Sequence, residues 1–498
     1  MANYIVTIAP PTPNGDMHLG HLSGPFLAAD IFTRIRRLKG DKVFFTTYSD
    51  DYQDYVARKA LELNETRFDL ASKYGSRIAQ SLIKAEIEVD WFMKSYENIH
   101  YKEAILFLLK NAIEKNAIGQ RASVVPYSFE DKQYGYEAFA KGVCNYCGAE
   151  SDASQCEACA NSPILGEMGD MISTISKKPM VFVDKNRAYL RIHKYVDFLK
   201  ELYQGNPIRK HLRDFIDNVL LQSDLEWYID RPDGNGIDLF HEGKNITLHT
   251  WFSGLAGYLA ASKEYWEQAG QPDRHYELWY DQNTSVVNFL GFDCSFSHAI
   301  VYPSLASNIN GLTQKFTQIT NKFLQLNGGD FSTSRNHAIW VDDILEQYPV
   351  DGVRFYLALV SPEFEVTNFD KSHFENWMIG FFEPAIYRIE QLLTDINDVQ
   401  VISRHLKNNS PKTKLLGIYL NWESFSKPDS FSISGIAKAL HELLEYVSAL
   451  YELNRQEEAI TAAITYLILS KPVHPRLSSR FIEQNQLEEI SIFEWLAV

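Results

Sequence analysis

The chain is poor in cysteine, with five in 498 residues. Four fall between Cys144 and Cys159 and Cys294 stands alone, which excludes a fold stapled by disulfides. No uninterrupted apolar run reaches transmembrane length, which excludes a membrane-spanning helix, and no membrane partner is expected. Met1-Ala2-Asn3 leads straight into a strand without a charged leader, so the cytoplasm is the expected location. Basic residues are outnumbered, 48 Lys and Arg against 64 Asp and Glu, for a net charge of −16. That balance excludes a broad surface for coating nucleic acid. The densest basic run, Arg34, Arg36, Arg37, Lys39 and Lys42, reads as the solvated end of a helix. Internal repeats, low-complexity tracts and lipidation signals are also missing. What is present is an ordinary globular composition, 45% hydrophobic and rich in Phe and Tyr, long enough for more than one domain.

Up to residue 118 strands and helices alternate. Ile5–Ile8 and Lys42–Thr47 read as strands. Residues 21–38, 49–63, 67–85 and 104–114 read as helices. This alternation predicts an α/β fold with a doubly wound parallel sheet. Between the first strand and helix lies Ala9-Pro10-Pro11-Thr12-Pro13-Asn14-Gly15-Asp16-Met17-His18-Leu19-Gly20-His21. Two histidines at a helix start, whose unpaired N–H groups favour an anion, form a candidate phosphate site. Gly20 leaves room for a nucleotide beside the backbone. From about 119 to 225 the pattern is turn-rich and reads as an insertion. From Lys371 onward apolar residues recur at helical spacing, interrupted by Asn408-Asn409-Ser410-Pro411-Lys412. Trp377 and Trp422 there read as core residues.

The insertion carries Cys144-Asn145-Tyr146-Cys147 and Cys156-Glu157-Ala158-Cys159, two C-x-x-C pairs separated by eight residues. Thiolates at this spacing can converge on one tetrahedral Zn²⁺. Four thiolates would close the shell, so the expected role is structural: the metal fastens an insertion with a small core.

Taken together, these features resemble class I aminoacyl-tRNA synthetases, and specifically the methionyl-tRNA synthetase family, over roughly residues 4–370. His18-Leu19-Gly20-His21 resembles the first signature. Trp251-Phe252-Ser253-Gly254-Leu255-Ala256-Gly257-Tyr258 is similar to the segment lining the amino-acid pocket. Phe289-Leu290-Gly291-Phe292-Asp293, with His298, is similar to the segment contacting ribose and amino acid. The resemblance implies a Rossmann-type catalytic domain in two halves, 1–118 and 231–330, around a connective zinc-knuckle insertion at 119–230. A second signature loop and linker at 331–370 and an α-helical, anticodon-domain-like region at 371–498 would follow. It implies ATP, with Mg²⁺, held by Pro11, Asn14, Gly15, His18, Gly20, His21, Gly291, Asp293, Ser332 and Ser334. The amino acid would meet Pro10, Thr12, Asp50, Asp51, Trp251, Leu255, Tyr258 and His298. His18 and His21 would stabilise the α-phosphate, and Asp50 or Asp51 would hold the α-amino group.

Several positions depart from the family. Its second signature, Lys-Met-Ser-Lys-Ser, is here Asp330-Phe331-Ser332-Thr333-Ser334. Both lysines are gone, and an acid approaches where polyphosphate would lie. Loss of such a donor costs about 2.7–4 kcal/mol of transition-state stabilisation. Arg335 is the candidate replacement. Thr12 stands for an aromatic residue, Pro10 for a leucine, Leu255 for a proline and Phe292 for a lysine. The helical region, about 128 residues, shows no basic face to follow an RNA. The reading that follows is an ATP-dependent ligase making an aminoacyl adenylate and passing the acyl group to a small-molecule amine or hydroxyl in natural-product biosynthesis, with any cupin partner a separate chain. A methionine–tRNA ligase with a variant loop, using tRNA, is the second reading. A non-catalytic nucleotide- or amino-acid-binding scaffold is the third.

Overall fold

A computed structural model describes residues 2–222, 224–241, 243–331, 337–394, 413–485 and 495–496. It divides into two compact units. The first comprises 1–16, 40–80 and 88–321, the second 17–39, 81–87 and 322–498.

In the first unit, β1 (Asn3–Ile8), β2 (Lys42–Ser49), β3 (Trp91–Lys94), β13 (Thr284–Gly291) and β14 (Phe316–Asn321) form one parallel sheet. Their order is β14-β13-β1-β2-β3. Order therefore reverses between β1 and β13, and an open α/β sheet takes its ligands at the carboxyl ends of the strands at such a point. The expected doubly wound parallel sheet is present. β3 and β14 carry no clear sequence signal. β3 is four residues long, and β14 buries Gln318 and Thr320, so its polar residues hide a core strand. The helix expected from Ser49 begins only at Asp54. The acids before it form a turn instead, in which Asp51 accepts from the Tyr96 N–H at 2.8 Å.

The intervening segment builds three small antiparallel sheets. One has the order β10-β9-β4-β5, from Trp227–Tyr228, Val181–Leu190, Ile118–Ser128 and Gln133–Tyr134. A second, β7-β6-β8, joins Glu150–Asp152, Ala140–Val143 and Gly169–Ser173. The third pairs β11 (Ile237–His241) with β12 (Lys244–Leu248). Helices Val196–Tyr203 and Lys210–Leu220 join the main core: Tyr203 donates to the Ala299 carbonyl at 2.8 Å, and Asn206 to the Phe316 carbonyl at 3.0 Å.

The second unit is mainly helical. Helices Ile433–Glu452 and Gln456–Ser470 contribute its fully buried Leu440, Leu443, Leu444, Val447, Ala462, Ala463 and Leu467. Trp422 is fully buried and Trp377 stacks on Phe382, so both serve packing as expected. Lys42 is exposed, but the rest of the basic run differs from the solvated face expected of it. Arg36 is buried and donates to the Ser426 carbonyl, Arg34 pairs with Asp30, and Lys39 pairs with Glu423. The polar interruption at 408–412 lies outside the described residues. Among the described residues no helix is long and apolar enough to cross a membrane.

Candidate active site

The first helical run begins at Leu19, continues through a π-turn at Leu22–Phe26 and straightens over Leu27–Leu38. Pro25 removes a donor in that turn and Gly24 departs from helical angles there, which accounts for the irregularity. The helix start is not the open cradle expected. Leu19 N–H donates to the Ile339 carbonyl at 3.0 Å, and His18 pairs with Trp340 as an isolated β-bridge. The imidazoles of His18 and His21 stack with centroids 3.8 Å apart. His21 Nδ1 accepts from the His18 N–H at 3.3 Å, which assigns the His21 proton to Nε2. Burial first, and then the neighbouring His21, lower the His18 pKa to about 2; burial also lowers that of His21, although its edge reaches solvent. Both rings are therefore neutral at physiological pH and donate through N–H rather than as cations.

Phe331, at the methionine position of the second signature, stacks on the other face of His18 at 4.8 Å. A Cβ on Gly20 would lie 3.3 Å from the Phe331 ring, so the room expected beside Gly20 is taken by an aromatic side chain. Asn327 and Gly328, both at positive φ, form the two-residue turn between Leu324–Leu326 and Gly329–Asp330. Asp330 is exposed and accepts from Gln325 at 3.1 Å. Ser332, Ser334 and Arg335 lie outside the described residues.

In the first unit the stretch after β1 crosses the sheet edge at the reversal of strand order. Ala9 N–H donates to the Phe289 carbonyl at 2.8 Å, and the Pro11 carbonyl accepts from Asp50 N–H at 3.0 Å. Pro10, Pro11, Thr12, Asn14 and Gly15 are each partly exposed on that stretch. Geometry separates the two candidate acids. Asp51 is tied to Ser95 and the Tyr96 N–H. Asp50 accepts from Gln53 at 2.8 Å and from the Thr250 hydroxyl. Burial, with the charges of Glu137 and Asp51, pushes the Asp50 carboxyl up to about 7. Its charge also acts on the buried phenols of Tyr48, Tyr101, Tyr258 and Tyr302. Asp50 thus sits among tyrosines.

Tyr258 and His298 come together: the phenol oxygen lies 3.0 Å from His298 Nε2 and donates to the Ile8 carbonyl. Leu255 and Trp251 are buried on the same segment, and Trp251 N–H donates to His249 Nδ1. Asp293 folds over Gly291, where a Cβ would stand 2.4 Å from its carboxylate, and burial raises its pKa to about 7. No local pattern pointed to Thr250, Tyr302 or the buried Arg231, which pairs with Asp54 and Glu137. Thr250 and Tyr302 reach Asp50 and Tyr258 from distant parts of the chain.

Because the folded Asp50 keeps a proton that the unfolded chain loses above about 3.8, its contribution to stability falls as pH rises from there to about 7. An ammonium ligand needs the ionised form. The KM for an amino acid is therefore expected to fall as pH rises through about 7, and Asp50→Asn to flatten that profile. A wild-type KM that is constant across this range contradicts the role.

The four thiols of Cys144, Cys147, Cys156 and Cys159 lie within 4.8 Å of one another. Two pairs stand 3.9 and 3.6 Å apart. A tetrahedral zinc with bonds of about 2.3 Å needs sulfurs about 3.8 Å apart, so the residues fit the metal. Each C-x-x-C segment closes with the same kind of turn: Gly148 N–H returns to the Cys144 carbonyl, and Ala160 N–H to the Cys156 carbonyl. The adjoining core includes Met168, Met171 and Met180 but few large side chains, too little to hold these sheets unaided. Zinc would supply that constraint. Chelation is expected to release about one zinc per chain, and Cys156→Ser to abolish metal retention and expose the insertion to protease. Undiminished protease resistance without metal contradicts this.

The sheet order defines a doubly wound α/β protein. A family model described as tRNA synthetases class I (M) matches residues 4–378, and the chain belongs to that family. The methionine–tRNA ligase of Pyrococcus furiosus is 29% identical over 396 residues, covering 75% of this chain and 54% of that protein. That of Pyrococcus abyssi is 30% identical over 398 residues, with 75% and 54% covered. The chain thus spans about half the length of the curated relatives it matches. The Mycobacterium tuberculosis methionyl-tRNA synthetase structure with bound methionyl-adenylate shares the fold, with a TM-score of 0.72, 16% identity, and 97% of this chain and 94% of that one covered.

Proposed function

We propose that this protein activates an amino-acid carboxylate with ATP, forming an aminoacyl adenylate and pyrophosphate, and passes the acyl group to a small-molecule amine or hydroxyl. The observation that carries the proposal is the pair of neutral, stacked imidazoles at His18 and His21, kept where the second signature has lost both lysines. Attack of the carboxylate oxygen on the α-phosphorus breaks the bond to pyrophosphate, and charge builds on the phosphoryl oxygens. Imidazole N–H donors stabilise that charge without first losing a proton. Asp50, ionised, receives the substrate's ammonium group, and Asp293 accepts from the ribose hydroxyls. Magnesium bound with ATP supplies charge neutralisation on the polyphosphate. Changes at Thr12, Pro10 and Leu255 favour a substrate other than methionine, and natural-product biosynthesis is the setting that suits such a ligase.

A methionine–tRNA ligase is the second reading, favoured by the relatives at 29–30% identity, which carry that name. Trapping with hydroxylamine tests the proposal, because an adenylate gives an amino-acid hydroxamate without any natural acceptor. Hydroxamate from an amino acid other than methionine supports it. No hydroxamate from any amino acid, with ATP still bound, favours a scaffold.

A further inference from the structure

Helix Gly254–Gln268 opens with two glycines whose absent side chains are replaced in space by tyrosines. A Cβ on Gly257 would lie 2.2 Å from the Tyr48 ring, and one on Gly254 only 1.4 Å from the Tyr302 hydroxyl. A phenol oxygen thus stands where alanine would place a methyl, and among L-residues only glycine at 254 leaves it there. Tyr302 is 3% exposed. Its ring packs against His298 at 4.5 Å and edge-on to Tyr258 at 6.4 Å.

The hydroxyls around it are engaged. Tyr48 donates to the Gly254 carbonyl at 3.3 Å, Tyr101 pairs with Ser253 at 2.8 Å, and Tyr258 donates to the Ile8 carbonyl at 3.0 Å. Tyr302 differs: its hydroxyl has no hydrogen-bond partner among the described residues. A hydroxyl with no protein partner, able both to donate and to accept and set beside the amino-acid wall, points to a ligand.

We propose that Tyr302, admitted by Gly254, determines which amino acid the chain accepts: its hydroxyl binds an oxygen on the substrate side chain, so the substrate carries a hydroxyl, amide or carboxylate there. The proposal rests on the reading of residues 251–258 as the wall of an amino-acid pocket. It assigns polarity to a pocket that Thr12 also makes more polar. Methionine and norleucine leave the phenol unpaired, and a site built to hydrogen-bond its substrate rejects analogues that lack the group.

Binding of free amino acids to the zinc-loaded chain, measured by thermal shift without ATP, tests this. Serine, threonine, homoserine, glutamine and glutamate are compared with methionine and norleucine. One polar amino acid is expected to bind best. Tyr302→Phe, which removes one oxygen, is expected to weaken it at least ~10-fold, with the affinity for ATP unchanged and that for norleucine undiminished. Gly254→Ala, which displaces the hydroxyl, is expected to reproduce the loss. Methionine or norleucine as the best ligand overturns the proposal, as does unchanged binding in a folded Tyr302→Phe. Binding of ATP but of no amino acid at all overturns the pocket reading and this inference with it.

Discussion

Replacing His18 and His21 together by alanine is expected to lower ATP–pyrophosphate exchange by at least ~100-fold, the loss typical of removing one preorganised donor at a developing oxyanion. The two rings act as a stacked pair, and His21 is oriented by the His18 backbone, so each single change is expected to cost nearly as much as both. The size of the loss follows from what else is missing. With no lysine in the second signature, fewer groups share the phosphoryl charge. The fold is expected to survive the loss of the His18 stack on Phe331, because the helical run beyond His21 is held by its own apolar face. Exchange within threefold of wild type in the folded double variant contradicts the assignment.

The second large effect is structural. Arg354 is fully buried in the second unit. It donates to the carbonyls of Val473, Ala85, Glu86 and Pro472, each at 2.9 Å, and to the Asp30 carboxylate at 2.6 Å. Three separate stretches of chain are tied to one guanidinium. Arg354→Met removes a donor from four carbonyls, of which that of Glu86 keeps a bond from Arg34, and weakens the neutralisation of Asp30, which also pairs with Arg34. Breaking a buried pair on one side costs about 3–5 kcal/mol. The expected result is a matching fall in unfolding free energy by denaturant titration. Replacing Asp30 as well, by Leu, should recover part of it, because the unpaired charge is then gone. A single variant within about 1 kcal/mol of wild type means that water reaches the carbonyls and the hub is not one.

What could be read in the sequence was local. The strand–turn–helix around His18, the two knuckles and the helical periodicity after Lys371 each lie in one stretch, and each is present. What could not be read depends on partners brought in from afar. Asp50 and Asp51 are equivalent in sequence, and only Thr250 and Gln53 on one side and Ser95 and Tyr96 on the other distinguish them. β14 hides because its buried face is polar. The run from Arg34 to Lys39 looked solvated because its acceptors, the Ser426 carbonyl and Glu423, come from the far end of the chain. Gly20 looked open because nothing near it in sequence announces that Phe331 covers it.

We propose that the retained histidines and the altered pocket still perform adenylation, on an amino acid other than methionine. ATP–pyrophosphate exchange across the twenty amino acids, without tRNA, tests it most directly. The expected result is exchange with one polar amino acid, lost in the His18→Ala, His21→Ala variant. Exchange with methionine alone, together with charging of tRNA, contradicts the account.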